Sequence, residues 1–121
     1  MDQTLIFNCT HGSEDPERAT LPFIGATIAA VSGQRSIVVC TIEAVRLGTH
    51  AGSEGIQAEG HEPLSTHISQ FLAAGGELWL CSACTEPRGI GGSDCIEGAS
   101  IVGAAAVVEL LTAGARAISF G

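Results

Sequence analysis

Tyrosine is missing from this chain, and tryptophan and methionine occur once each. The aromatic share is only 4%, yet 45% of the residues are hydrophobic. The core is therefore expected to be built from Ala, Val, Ile and Leu, small side chains that let helices and sheet approach closely. Basic residues are scarce as well: 5 Lys and Arg against 13 Asp and Glu leave a formal charge of −8. That balance argues against a nucleic-acid backbone or an anionic membrane as partner. No stretch approaches the ~20 apolar residues of a membrane span. The opening Met1-Asp2-Gln3-Thr4-Leu5 has no basic region ahead of an apolar one, so no secretory leader is expected and the cytoplasm is the expected location. Five cysteines cannot all pair with one another, and a single domain spanning residues 1–121 needs no disulfide staples. Reactive, metal-binding or merely packed thiols remain.

The periodicity alternates between strands and helices. Thr4-Leu5-Ile6-Phe7, continued by Asn8-Cys9, is a continuous apolar run of the kind found in sheets covered on both faces. Asp15 is placed to cap a helix with Pro16 in its first turn, running to about Ser32 with Leu21, Ile24, Ile28 and Val31 along its apolar stripe. Pro22 predicts a kink or a restart. Gly33 ends the helix, and Ser36 to Cys40 forms the second strand. Glu43 to Leu47 predicts a helical turn, and the glycine-rich segment from Gly48 to His61 a lid or a subunit contact.

Pro63 opens the next helix, where Leu64, Ile68, Phe71 and Leu72 make one stripe and His67 falls outside it, toward solvent. Glu77 to Cys81 is the third strand. A loop through Arg88 to Asp94 follows, with Ile90 a candidate for a brief extra strand. A last helix is expected from about Cys95 to Ala113, buried on more than one side, and a final strand from Ala115 to Phe120. Strands alternating with helices predict a three-layer α/β/α sandwich around a mainly parallel sheet of four to five strands.

The chemistry concentrates at the strand ends, where open α/β sheets bind their ligands. Cys9, Cys40 and Cys81 each close a strand and are candidates for one shared crevice, although side-chain alternation sends some strand-end residues into the core. Cys81 and Cys84 form a C-x-x-C pair. An ionised Cys81 at the turn is a nucleophile, and Cys84 is spaced to attack a sulfur adduct formed on it. Two buried cysteines filling space are the plain alternative. A second alternative is a metal site in which Cys81 and Cys84 are joined by Cys9, His11 or Cys95, weakened because a second C-x-x-C is missing. A third is an anion or nucleotide cradle at the Thr10 to Ser13 turn, for which no G-x-G-x-x-G or Walker pattern speaks. His11 is a candidate base beside Cys9. Arg88 is the basic group close in sequence to the cysteines, suited to holding an anionic sulfur species or pairing with Glu86.

Together, Asn8-Cys9-Thr10-His11-Gly12 with Asp15-Pro16-Glu17-Arg18-Ala19, the Gly55-Ile56-Gln57-Ala58-Glu59-Gly60 loop, and Cys81 seven residues ahead of Arg88-Gly89 resemble the DsrE/DsrF-like family of small sulfur-relay proteins. The likeness covers essentially the whole chain. It implies a five-stranded parallel sheet, assembly into homo- or hetero-oligomers such as trimers or hexamers, and partners that donate and accept sulfur. By position it implies Cys81 as the persulfide-bearing acceptor. The residues themselves add Cys9, His11 and Arg88 as substrate-binding candidates, and no resident cofactor or metal is expected. Cys84 departs from the small apolar residues that follow the acceptor in relay members, which favours a redox or sulfur-releasing role for the pair.

Overall fold

The computed structural model describes residues 3–121, so Met1 and Asp2, on which part of the leader argument rests, lie outside the described residues. Five strands, β1 (Thr4–Cys9), β2 (Arg35–Cys40), β3 (Glu77–Cys81), β4 (Ala99–Val102) and β5 (Arg116–Ser119), form one sheet in the order β4-β3-β2-β1-β5. Every neighbouring pair is parallel. The helices are α1 (Pro16–Val31), α2 (Leu64–Ala73), a four-residue turn α3 (Ser82–Thr85) and α4 (Ala104–Thr112).

The strand order explains the layers. From β1 to β4 the chain steps across the sheet in one direction, then returns past β1 to lay down β5. Crossovers between parallel strands are right-handed, so reversing direction moves the connecting helix to the opposite face. Accordingly α1 and α2 pack on one face, over Phe7, Val38, Leu78 and Leu80, while Val107 and Leu110 of α4 pack on the other, over Ile6, Ile37 and Val39. The nine residues of α4 extend only ~13 Å. A sheet of five strands is roughly 20 Å wide. One face is thus thickly covered and the other thinly, and no residue of α4 or β5 is fully buried.

The local signals act much as their chemistry dictates at several points. The Asp15 carboxylate accepts the Arg18 backbone N–H at 3.1 Å and caps α1. Pro63 stands immediately before α2, whose Leu64, Ile68 and Phe71 are buried, the Phe71 ring meeting Phe23 edge to face at 5.8 Å.

Other expectations are corrected. Helix α1 runs through Pro22 without a restart. Its buried face carries Ala19, Thr20, Phe23, Ala26 and Ala29, whereas Ile28 and Val31 are 61% and 71% exposed. Both stripes have helical spacing, and packing decides between them: Ala19, Phe23, Ala26 and Ala29 join the core with Phe7, Val38 and Phe71. The expected long last helix is two elements, because Ala99–Val102 pairs with β3 as an edge strand, and Ile90 lies in no strand. The surviving α4 is exposed, not enclosed.

The Gly48 to His61 segment is no free lid. Ile56 and Ala58 are buried, the Leu64 N–H donates to the Ile56 carbonyl at 2.9 Å, and a Cβ on Gly52 would fall 1.5 Å from the Arg46 carbonyl oxygen. His67 is half-buried instead of solvent-facing, its Nε2 sealed without a hydrogen-bond partner. No helix among the described residues is long and apolar enough to cross a membrane.

Candidate functional site

Side chains alternate across a sheet, so pairing register decides which strand-end thiols can meet. Cys9 pairs with Cys40 across β1 and β2, and both point toward α1. On β3, however, the residue opposite Cys40 is Leu80. Cys81 lies one residue further on and leaves the opposite face, the one covered by α4. The expected three-cysteine crevice does not form.

Cys81 instead borders a cavity of about 220 Å³ at the carboxyl edge of the sheet. Its floor is made by Asn8 of β1, Val39 of β2, Thr41 just beyond it, and Val102 of β4. The far wall is the start of α4, with Gly103, Ala104, Val107 and Val108. Gly103 precedes α4 and no side chain caps the helix there. The first turn of α4 therefore meets the wall of this cleft at Gly103 and Ala104 without a side-chain cap, while the Ala106 N–H donates to the Gly103 carbonyl at 3.1 Å. Asn8 is oriented by its own hydrogen bond, Nδ2 donating to Ser119 Oγ at 3.0 Å. Cys81 is half-buried and its thiol is free.

The other sequence-derived site residues lie elsewhere. Cys84 packs against the cluster beneath α1 and α2 and does not line the cleft, because α3 turns the chain between the two thiols. Cys9 is 1% exposed, its sulfur 3.6 Å from the His11 carbonyl oxygen and 3.8 Å from that of Ala19. A hydrogen bond with Cys9 and full burial push the Cys40 thiol well up, so it stays protonated. Cys95 is half-buried just beyond the single 3-10 turn Gly92–Asp94, and burial followed by the Asp94 charge raises its thiol too.

The Thr10 to Ser13 turn already holds an anion of its own. Glu14 folds back so that Oε1 accepts the Gly12 N–H at 2.7 Å and Oε2 meets His11 Nδ1 at 2.9 Å. Burial works to raise the Glu14 carboxyl, but the backbone N–H groups of Gly12 and Glu14 and the His11 ring hold it below its usual range. The cradle is thus filled by the chain, and His11 is bound to Glu14 instead of serving Cys9.

Arg88 is likewise engaged. Its Nε donates to Glu43 Oε2 at 2.7 Å and its Nη1 to the Cys84 carbonyl at 3.1 Å, so its carboxylate partner is Glu43 and not Glu86. Glu43 also accepts from Arg46 at 3.0 Å, and the two guanidinium groups, Arg88 first, hold its carboxyl below the ordinary range. This bridge ties the turn after Cys81 to the segment Ile42–Gly48 that follows β2. Among the described residues, no three His, Cys, Asp or Glu side chains are grouped to hold a metal ion. The set of Cys81, Cys84, Cys9, His11 and Cys95 is not assembled.

The residues not foreseen are Asn8, Val39, Thr41, Val102 and the start of α4. A period-2 count is the signal that reaches three of them, since Asn8, Val39 and Thr41 adjoin Cys9 and Cys40 and so leave the other face. Val102 and Gly103 required knowing that β4 exists. Thr41 adjoins Ile42, which is 52% exposed and holds φ +56°, a left-handed conformation that costs a β-branched residue ~1–2 kcal/mol.

Comparison with known proteins gives a consistent picture of the fold. The DsrE/DsrF-like family model matches residues 3–120. The crystal structure of the ychN protein from E. coli superimposes with a TM-score of 0.79 at 17% identity, covering 98% of this chain and 99% of that one. MTH1491 from Methanobacterium thermoautotrophicum, a protein of unknown function, does so with a TM-score of 0.74 at 22% identity, covering 98% and 100%. At these identities the two structures speak for the fold alone. No curated protein matches.

Proposed function

The chain belongs to the DsrE/DsrF-like family, and on that premise we propose that it accepts a sulfane sulfur on Cys81 and passes it on as a persulfide. One observation carries this: of the five cysteines, Cys81 is the one that borders the apolar cleft at the carboxyl edge of the sheet. Loading is an exchange at sulfur. The Cys81 thiolate attacks the outer sulfur of a donor persulfide, the donor S–S bond breaks, and the donor leaves as a thiolate that takes up a proton. Cys81 then carries the outer sulfur. In unloading, an acceptor thiolate attacks that outer sulfur and Cys81 departs with the electron pair. The amino-terminal end of α4, without a side-chain cap, supports negative charge on sulfur throughout.

Resolution by Cys84 is the less supported route. It needs Cys84 to reach the inner sulfur, expel hydrosulfide and close a disulfide, yet Cys84 packs against the cluster covered by α1 and α2, whereas Cys81 borders the cleft beside α4. We therefore assign release to the thiol of a partner protein.

We also infer that the working form is a homo-oligomer. The thinly covered sheet face leaves Val108 57%, Ile118 46% and Leu111 42% exposed, and a second copy is the occupant that would shelter them. The direct test of the sulfur reaction is mass spectrometry after incubation with an uncharged sulfane-sulfur donor, dimethyl trisulfide. Wild type and Cys84→Ser are expected to gain sulfur and Cys81→Ser to gain none; a gain that persists in Cys81→Ser overturns the proposal.

A further inference from the structure

We infer that the Cys81 cleft is selective for uncharged sulfur compounds, dialkyl trisulfides without a carboxylate or sulfonate close to the reacting sulfur. This rests on the sulfur-handling role proposed for Cys81 and names the substrate class for that site. The argument is a count of charges. Val39, Val102, Val107 and Val108 make most of the cleft wall, and its polar side chains besides Cys81 are Asn8 and Thr41, both neutral. The nearest guanidinium in sequence, Arg88, is spent on Glu43 and on the Cys84 carbonyl.

The start of α4 offers compensation for one negative charge, and the Cys81 sulfur itself brings that charge when it attacks. A second anion would enter an apolar cavity with no cation to meet it, at the cost of its hydration. A neutral donor gives up little hydration and packs against the valines. Its chemistry at the thiolate is balanced without any further reagent. With a dialkyl trisulfide, the Cys81 sulfur bonds to the central sulfur and is oxidised, so that Cys81 carries the sulfane sulfur as an alkyl trisulfide. One S–S bond of the donor is reduced and breaks, and the alkyl thiolate leaves with the electron pair and takes up a proton.

The test uses two alkylating reagents that differ chiefly in charge, iodoacetamide and iodoacetate. Their rates at Cys81 of the intact protein are measured by peptide mass spectrometry and divided by their rates with N-acetylcysteinamide. The corrected preference for iodoacetamide is expected to be roughly tenfold or more, the scale set by desolvating an unpaired anion. It should persist at 1 M NaCl, where the screening length is only about 3 Å and the net charge of the chain no longer acts at a distance. Val108→Lys, at an exposed position on the wall, is expected to cut the preference at least threefold, and dimethyl trisulfide should modify Cys81 where thiosulfate does not.

A corrected ratio near one, or a preference abolished by salt, overturns the selectivity while leaving Cys81 as sulfur acceptor. Failure of every reagent to modify Cys81 overturns the acceptor role itself.

Discussion

Cys40 stands opposite Leu80, not Cys81, so the two strand-end thiols leave opposite faces of the sheet. This single-residue offset separates a sealed thiol from an accessible one. It also predicts how the cysteines rank in reactivity.

In the native protein, Cys81 is expected to react first with iodoacetamide. Cys9 and Cys40, 1% and 0% exposed, should be protected until the chain unfolds, and Cys40 additionally because its thiol is held protonated. Peptide mapping of a labelling time course, native and in denaturant, measures this order. Early labelling of Cys40 would mean that the sheet opens far more readily than its packing implies.

The Glu43 bridge predicts an acid-sensitive contribution to stability. The Glu43 carboxyl is held below its ordinary range by Arg88 and then Arg46, so the folded state binds its proton less readily than the unfolded chain does. Its contribution is complete above the unfolded carboxylate range and is lost as pH falls through the lower folded value. Glu43→Gln should therefore lower the melting temperature at pH 7, and the gap from wild type should close below about pH 4. Thermal unfolding followed by circular dichroism across that range checks it; a gap that widens in acid reverses the sign.

Ile42 combines a left-handed backbone with an exposed side chain, two features that each cost the isolated chain something. Ile42→Gly is expected to stabilise the fold by about 0.5–1 kcal/mol, the relief of strain exceeding the added freedom of the unfolded glycine. Chemical denaturation measures it. A loss of stability would show that the isoleucine makes contacts worth more than its strain.

The exposed apolar face predicts a dependence of assembly on α4. Val108→Glu combined with Leu111→Glu is expected to shift the protein to monomer in light scattering without loss of helical signal, because neither side chain belongs to the buried core. An unchanged mass would place the contact between copies elsewhere.

Much of the fold is written in local chemistry. The Asp15 carboxylate with Pro16 begins α1, Pro63 precedes α2, the Leu64, Ile68 and Phe71 stripe is the face α2 buries, and three apolar runs become β1, β2 and β3. The position of Cys81 was legible too, since it follows an apolar strand and precedes a turn. Local patterns fail where two solutions share one period. Leu21, Ile24, Ile28 and Val31 are spaced as well as the stripe containing Ala19, Phe23 and Ala26, and only packing against the sheet and α2 chooses between them.

Residues 99–102 illustrate the same limit for strands. Ala99 to Val102 reads as the middle of an apolar helix until β3 supplies an edge for it to pair with. Glu14 filling the Gly12 turn, and Arg88 reaching Glu43 across 45 residues, are likewise settled by neighbours distant in sequence or by a back-folded side chain.

Composition, caps and apolar period were thus enough for the class of fold, for the order of elements apart from β4, and for naming Cys81 as a candidate. Which thiols are sealed, what surrounds the exposed one, and that no charge lines its cleft were decided only when the strands met. Register between strands is a relation between segments far apart in the chain, and a shift of one residue turns every side chain to the other face.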